Sequence, residues 1–438
     1  MRFSPARLAE LEGSYRILKA PGSTRPAAQT DPAVAARVSS MLADIEAGGL
    51  DAVLRYAREL DGWDRPDVEV SGADLARSGD ALSPELRDAL ALGVERTAAF
   101  AREQRSRLTD FETELAPGLV AGQRYVPVQR VGAYLPAGRF PLLAGACMTV
   151  GVAKVAGVGT VVACTPPRPD GSADPAVLYA AHLSGADRVF VLGGVQALAA
   201  MAFGLLGEAP VDMLVGPGNA YVAEAKRQLF GTVAIDLLAG PSEVAVLADD
   251  TADAELVAAD LLGQAEHGTE SPAALVTTSE RLGLAVVAEA ERQLAALKTR
   301  DIAGPAWRDF GSVTWAADEA TAVALMDDLA PEHLEILTAD DDRYLDALHN
   351  YGSAFLGPWS TVAYSDKGMA GTNHVLPTAG GARHSAGLSV SRFLKPLTYQ
   401  RAAREATPLL AEAVEVISSY EGMAAHGATA TLRLARYR

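Results

Sequence analysis

The sequence predicts an α/β protein built on doubly wound parallel sheets, and three observations carry that expectation. From about Val131 onward, short β-rich runs alternate with helical ones, in two successive series. The 438 residues exceed what one ordinary core supports, so two or three domains are expected. Hydrophobic residues make up 49% and charged residues 21%, a globular composition that excludes a disordered chain.

Taken in order, the chain opens on MRFSPARLAELEGSY. It carries charge and lacks an apolar core before a small-residue cleavage site, so no targeting segment is expected. Residues 33–112 read as mostly helical. PAVAARVSSMLADIEAGG and SPELRDALALGVERTAAFAREQRS space their apolar residues by three and four, and Ser83–Pro84 suits a helix start. The apolar stretch from Pro141 to Cys164 is broken by Lys154, Gly145, Gly151, Gly157 and Gly159. It falls short of the roughly 20 uninterrupted apolar residues of a membrane span and reads as a buried helix followed by a buried strand.

The first strand series is VGAYL (131–135), GTVVAC (159–164), DRVFVLG (187–193), VDMLVG (211–216) and EVAVLAD (243–249), with PAVLYAAHL and NAYVAEAKRQLF as intervening helices. The second is AALVTTS, SERLGLAVVAEAERQLAAL, GSVTWA, DEATAVALMDDL and a run ending at SAFLG (353–357). Residues 359–388 are rich in Gly, Ser, Thr and His and lack a period, which marks a functional loop. The last 40 or so residues read as helix again.

Charge and cysteine content narrow the function. The balance of 38 basic against 55 acidic residues gives a net of −17, which argues against nucleic-acid binding but leaves an anionic cofactor open. Two cysteines, Cys147 and Cys164, allow neither a disulfide framework nor a Cys-rich zinc cage. Both lie in apolar runs and are expected to be buried and inert, in a reduced, cytoplasmic compartment.

The usual dinucleotide fingerprint, a phosphate-binding P-loop and an H-E-x-x-H zinc motif are all absent. The histidines say more. His182 and His349 lie in amphipathic runs and read as ordinary. His267 closes the helix LVAADLLGQAEHG with Gln264 three residues earlier on the same face and Gly268 as the expected C-cap. Such a pair can ligate a metal or simply cap the helix.

Glu332–His333 in LAPEHLEIL offers an adjacent carboxylate and imidazole suited to acid–base work, or else an exposed turn. His374 sits in the shaped loop DKGMAGTNHVLPT, eight residues after Asp366, and His426 follows Glu421 by five near the C-terminus. Gln264, His267, Asp366 and His426 together would make a mixed N/O site acceptable to zinc, with manganese or magnesium open on ligand type alone. GGVQALAA (193–200) and VGPGNAYVAEA (215–225) each follow a strand and open a helix. They are candidate phosphate sites or plain tight turns.

Together the segments VGAYLPAG, LGGVQALAAMAFG, VGPGNAYVAEAKRQ, IDLLAGPSEV, QAEHG, PEHLEI and GTNHVLPT resemble the histidinol dehydrogenase family in order and spacing, over nearly the whole chain. The resemblance implies an α/β fold of two Rossmann-like doubly wound parallel-sheet domains with helical N- and C-terminal arms. The implied boundaries are an N-terminal arm 1–24, a first domain 25–133 plus 243–384, a second domain 134–242 and a C-terminal dimerisation arm 385–438.

It also implies a zinc-dependent, NAD-linked oxidation of L-histidinol through histidinal to L-histidine in histidine biosynthesis, reducing two NAD. One zinc per subunit would be held by Gln264, His267, Asp366 and His426. Glu332 and His333 would be the acid–base pair. Ser242, Gln264, His267, His333, Asp366, His374, Glu421 and His426 would meet the substrate, and Tyr134, Gln196 and Asn219 the NAD. The family is a cytoplasmic homodimer whose C-terminal segment completes the partner's site, so Glu421 and His426 are expected to act in trans.

One loop departs from the family pattern. Where relatives read W-x6-D-Y-x-x-G-T-N-H, this chain reads WSTVAYSDKGMAGTNH. One residue is inserted after Asp366, and Lys367 stands in place of the usual aromatic. The following TAGGARHSAGLSVSRFLKPLTYQ carries an Arg383–His384 pair and is similar to the sulfopropanediol dehydrogenase type of relative. The alternative substrate is therefore another polar or acidic alcohol, such as a sulfonated or carboxylated diol met by Lys367 or Arg383.

Overall fold

The computed structural model describes residues 1–23, 31–65, 67–137 and 140–436. Its strands, in chain order, are β1 (Tyr15–Lys19), β2 (Phe111–Ala116), β3 (Leu119–Pro127), β4 (Arg130–Tyr134), β5 (Thr160–Thr165), β6 (Arg188–Val191), β7 (Met213–Val215), β8 (Ala234–Ile235), β9 (Val244–Ala248), β10 (Ala273–Thr277), β11 (Gly311–Ala316), β12 (His333–Leu337), β13 (Ser353–Leu356) and β14 (Leu394–Ala402). They form a five-stranded parallel sheet in the order β6-β5-β4-β7-β8 and a six-stranded sheet in the order β1-β11-β10-β9-β12-β13. In the latter only β1 is antiparallel. In each sheet the five parallel strands, counted by their own chain order, run 3-2-1-4-5. The chain therefore reverses its winding between β4 and β7, and again between β9 and β12.

Central strands of such sheets are buried on both faces and read as continuous apolar runs. Val162 and Cys164 face one core with Leu198, Met201, Met41 and Ile45, while Val161 and Ala163 face another with Met148, Val152, Leu178 and Phe393. Val244 and Val246 pack with Leu261, Val286 and Trp307, whereas Ala245 and Leu247 pack with Leu325 and Met326. Helices thus cover both faces of both sheets. Ser83 caps the helix Pro84–Ser106 through the Leu86 amide, as its sequence suggested.

Several boundaries differ from the sequence expectation. The implied first domain joins residues 25–133 to 243–384, yet the helix Pro32–Asp61 lays Val38, Met41, Ile45 and Val53 against the five-stranded sheet. The helix Pro84–Ser106 packs beside that sheet as well, because its apolar stripe meets the helices flanking β4 and β5. β4 lies at the centre of the five-stranded sheet, so that unit begins before residue 134. β1, expected in a helical arm, adds an edge strand to the six-stranded sheet.

Residues 111–127 form the antiparallel hairpin β2–β3, and β14 pairs with β3 along nine residues in a segment expected to be helical. β2 is exposed on nearly every residue, so it carries no apolar alternation to betray a strand. The two helices Thr407–Glu421 and Ala424–Arg436 follow and pack on each other.

Gly216, just after β7, has φ +115°, and a Cβ there would lie 2.2 Å from the Tyr134 carbonyl oxygen. Only glycine lets this turn close against the end of β4. Among the described residues, no helix is long and apolar enough to cross a membrane.

Candidate active site

The carboxyl ends of β4, β6 and β7 face the amino ends of β9 and β12, and two adjoining cavities lie in that seam. A cavity of about 880 Å³ is lined by Tyr134 at the end of β4, Gly193–Gln196 after β6, Pro217–Asn219 after β7, and Ser242 and His267 on the six-stranded side. A smaller cavity of about 100 Å³ continues from it. Ser242, His267, Glu332, His333, Asp366, Lys367 and His374 line it. In α/β sheets ligands settle outside the carboxyl ends of strands where the winding reverses, and the larger cavity occupies that place beside β4 and β7.

Glu332 and His333 are buried at the start of β12, at 5% and 1% exposure, so the exposed-turn reading of this pair falls. One oxygen of Glu332, Oε2, accepts from Ser242 Oγ at 2.7 Å and from the Glu243 amide at 2.8 Å. Gln264 Nε2 donates in turn to Ser242 Oγ at 2.7 Å. Burial pushes the Glu332 carboxyl well above the usual carboxylate range, against the pull of the Ser242 hydroxyl. Burial likewise raises Glu243 to about 6.

His333 Nδ1 lies 3.0 Å from the Glu243 carbonyl oxygen. A carbonyl only accepts, so Nδ1 carries the hydrogen and Nε2 presents its lone pair. That Nε2 is buried without a partner, 4.0 Å from Asp366 Oδ1. Burial lowers His333 to about 4, so the ring is neutral at ordinary pH. His374 Nδ1 is also buried and unpartnered, 4.0 Å from the same Asp366 oxygen, and burial lowers its pKa too.

Asp366 ends the short helix Val362–Asp366, and its Oδ2 lies 3.3 Å from His267 Nε2. Burial alone would raise Asp366, but the His267 hydrogen bond and the surrounding imidazoles outweigh it and hold the carboxyl down at about 2. His267 follows the helix Ala254–Ala265. The residue closing that helix is Glu266, in right-handed geometry, and not Gly268, which has no left-handed φ.

Of the expected substrate and metal residues, Ser242, His267, His333, Asp366 and His374 line the small cavity, with Gln264 bonded to Ser242. Glu421 and His426 do not join them. Both are exposed on the C-terminal helices. Among the described residues, no three His, Cys, Asp or Glu side chains form a ready metal cage. The residues present fit a mixed N/O zinc site that lacks one ligand. An imidazole and an ionised carboxylate are already in contact, a glutamine amide is one helical turn away, and two further imidazoles hold unpartnered ring nitrogens.

The larger cavity holds the three residues expected to meet NAD. Gln196 is 1% exposed, and its Oε1 has no partner. Its Nε2 donates to Asp61 Oδ2 at 2.8 Å, and the same oxygen accepts the Gly193 amide at 3.0 Å. Tyr134 Oη accepts the Gly194 amide at 3.1 Å, and burial pushes its phenol up to about 12. Asn219 Oδ1 accepts the amides of Tyr221 and Val222.

The two turns singled out as phosphate candidates therefore use their amides internally. The Asp61 carboxylate and Tyr134 hydroxyl fill one, and the Asn219 side chain fills the other. Asp61 was missed in the sequence. It ends a surface-like helix among many charged residues, and its only sequence signal is the Gly62 that stops the helix behind it.

Lys367 lines the small cavity. Arg383 instead turns away and donates to the backbone carbonyl of Asp328, which corrects its suggested role toward substrate. His384 is exposed. Cys147 and Cys164 are buried and free, and burial raises both thiols.

Comparison with known proteins places this geometry in context. A family model described as histidinol dehydrogenase matches residues 23–434. A histidinol dehydrogenase homolog of Shouchella clausii is 47% identical over 91% of this chain and 94% of its own length. A sulfopropanediol 3-dehydrogenase of Ruegeria pomeroyi is 45% identical over 91% of this chain and 92% of its own. The crystal structure of histidinol dehydrogenase from Elizabethkingia anophelis superposes with a TM-score of 0.88 at 33% identity, covering 93% of this chain and 94% of that one.

Proposed function

The chain belongs to the histidinol dehydrogenase family of oxidoreductases acting on CH–OH groups, and from that premise we propose that it is a zinc-dependent, NAD-linked dehydrogenase of a small polar alcohol. The observation that carries the reading is the neutral His333 whose Nε2 lone pair is buried, unpartnered and turned to the cavity beside the Asp366–His267 pair. Such a nitrogen is a general base in waiting.

His333 Nε2 would accept the hydroxyl proton of the alcohol, and NAD when bound would supply the hydride acceptor. Glu332, held by Ser242 and the Glu243 amide, is the acid–base group that activates water when the aldehyde is oxidised further. Gln264, His267 and Asp366 would hold the metal, and zinc when bound would anchor the substrate's polar groups without redox work of its own. Gln196 Oε1, Tyr134 Oη and the Asn219 amide would contact the dinucleotide. The strand orders and the two-faced helix cover support a Rossmann-type reading of both sheets.

Two substrates have support. The intact Glu332, His333 and His374 set favours L-histidinol, with histidine as product. Lys367 on the small cavity, together with the sulfopropanediol 3-dehydrogenase relative, favours a sulfonated or carboxylated diol. We favour the anionic diol, because a cation lines the cavity where the family carries an aromatic. NADH formation on both substrate classes decides between them. Lys367→Ala should lower kcat/KM for the anionic diol at least tenfold and leave neutral alcohols unchanged. Turnover of L-histidinol alone, unaffected by that change, would select the other reading.

The exposed C-terminal helices support a homodimer. Tyr420 is 95% exposed, and Leu409, Val416 and Ile417 are also bare. Glu421 and His426 lie exposed on these same helices, free to serve a second copy. A cytoplasmic location fits the free thiols and the family.

A further inference from the structure

Glu335 stands in the middle of β12 with no exposure at all, a place where a carboxylate is expensive. Its Oε1 accepts the Val362 amide at 3.0 Å, and its Oε2 has no fixed donor. Asp260, from the middle of the helix Ala254–Ala265, accepts Thr361 Oγ1 at 3.0 Å on its Oδ1, so the two carboxyls hold neighbouring residues and interact with each other. Thr361 and Val362 are the cap and first residue of the short helix that ends in Asp366.

The same three elements carry the proposed chemistry. Asp260 precedes Gln264 by four residues on one face of the helix, and His267 follows Gln264 by three, just past the helix end. Along the strand, Glu335 follows His333 by two, on the same face. Along the short helix, Val362 precedes Asp366 by four. At about 1.5 Å per helical residue and about 3.3 Å per strand residue, each of the steps Asp260 to Gln264, Glu335 to His333 and Val362 to Asp366 advances roughly 6 Å. The two sets are therefore parallel rungs across the same three rails.

We propose that Glu335 and Asp260 are positioning residues, a hydrogen-bonded carboxyl pair that sets the register of the Val362–Asp366 helix against the Gln264/His267 helix and so holds Asp366 to His267. Two buried carboxyl groups can meet this way only with a proton between them. Consistently, burial and the adjacent Asp260 push Glu335 well above the usual carboxylate range, and burial raises Asp260. The inference deepens the proposed metal site but is legible without it, because the Val362 amide reports the register directly.

The test compares Glu335→Gln, Glu335→Leu and the double variant Asp260→Leu/Glu335→Leu. The glutamine keeps an acceptor for Val362 and a donor for Asp260, so it should retain wild-type hydrogen exchange of residues 361–367, zinc affinity and kcat/KM. The double leucine removes the buried acids in favour of apolar packing, which commonly leaves fold stability intact or improves it. Its thermal midpoint should be held while exchange of the 361–367 amides accelerates and zinc affinity falls 10- to 100-fold, the usual cost of losing support behind a ligand.

If Glu335→Leu alone fails to fold, rescue by Glu335→Gln and the double variant still decide. Wild-type exchange and zinc affinity in the double leucine variant would overturn the proposal, as would a glutamine variant as defective as the leucine. Wild-type protein that binds no zinc, with exchange responding as predicted, would sink the metal reading and leave the register claim standing.

Discussion

At the scale of single residues, burial decides what the titratable groups of the site can do. His333 loses its usual basicity because burial outweighs the pull of the nearby Asp366 carboxylate, and its folded pKa of about 4 lies below the ordinary imidazole value of about 6.5. The unfolded chain therefore binds a proton that the folded one refuses, and stability falls as pH drops from about 6.5 toward 4. The loss over that window is on the order of 3 kcal/mol. Urea unfolding from pH 7 to pH 4 should show this limb in the wild type, and His333→Asn should flatten it by a similar amount. A limb of unchanged depth in the variant would assign the acid sensitivity elsewhere.

The sequence already singled out Ser242, Gln264, His267, Glu332, His333, Asp366 and His374, through motif order and side-chain chemistry. It did not single out Asp61, Glu243, Asp260 or Glu335. Their roles come from burial and from partners distant in the chain, and a lone carboxylate in a sequence looks like a solvated one.

At the scale of elements, every strand with a continuous apolar run was legible, because burial on both faces leaves that mark. β12 was harder. It opens on Pro331, Glu332 and His333, polar residues buried for chemistry and not for packing, so its start resembles a turn. The β2–β3 hairpin and β14 were not legible at all, since their residues are mostly exposed and no period forms.

The helices Thr407–Glu421 and Ala424–Arg436 were expected, and their bare apolar face is what the single chain leaves unexplained. If they complete a partner's site, His267→Ala and His426→Ala lie in complementary halves. Mixing the two inactive variants under exchange conditions should then restore roughly a quarter of wild-type activity, from the one intact site in each hybrid dimer. If His426 serves its own chain, no hybrid site is intact and no activity returns.

At the scale of the whole molecule, two sheets whose parallel strands share one order meet end to end at the seam, one by its carboxyl ends and the other by its amino ends. The five-stranded sheet supplies the large cavity, with its turn amides already capped by Asp61, Tyr134 and Asn219. The six-stranded sheet supplies the acid–base and ligand residues. The net charge of −17 argues against a polyanion groove but says nothing about this seam, where the ionised Asp366 carboxylate lies beside the neutral His333.

The proposed chemistry is oxidation of an alcohol in this seam with His333 and Glu332 moving the protons. Its most direct test is NADH formation by zinc-loaded protein on a panel of L-histidinol and sulfonated and carboxylated diols, with Glu332→Gln beside the wild type. The account predicts turnover of at least one of them and a kcat lower by about 10²–10⁴-fold in the variant with KM little changed. No NAD reduction by the wild type on any of these alcohols, or full turnover by Glu332→Gln, would contradict it.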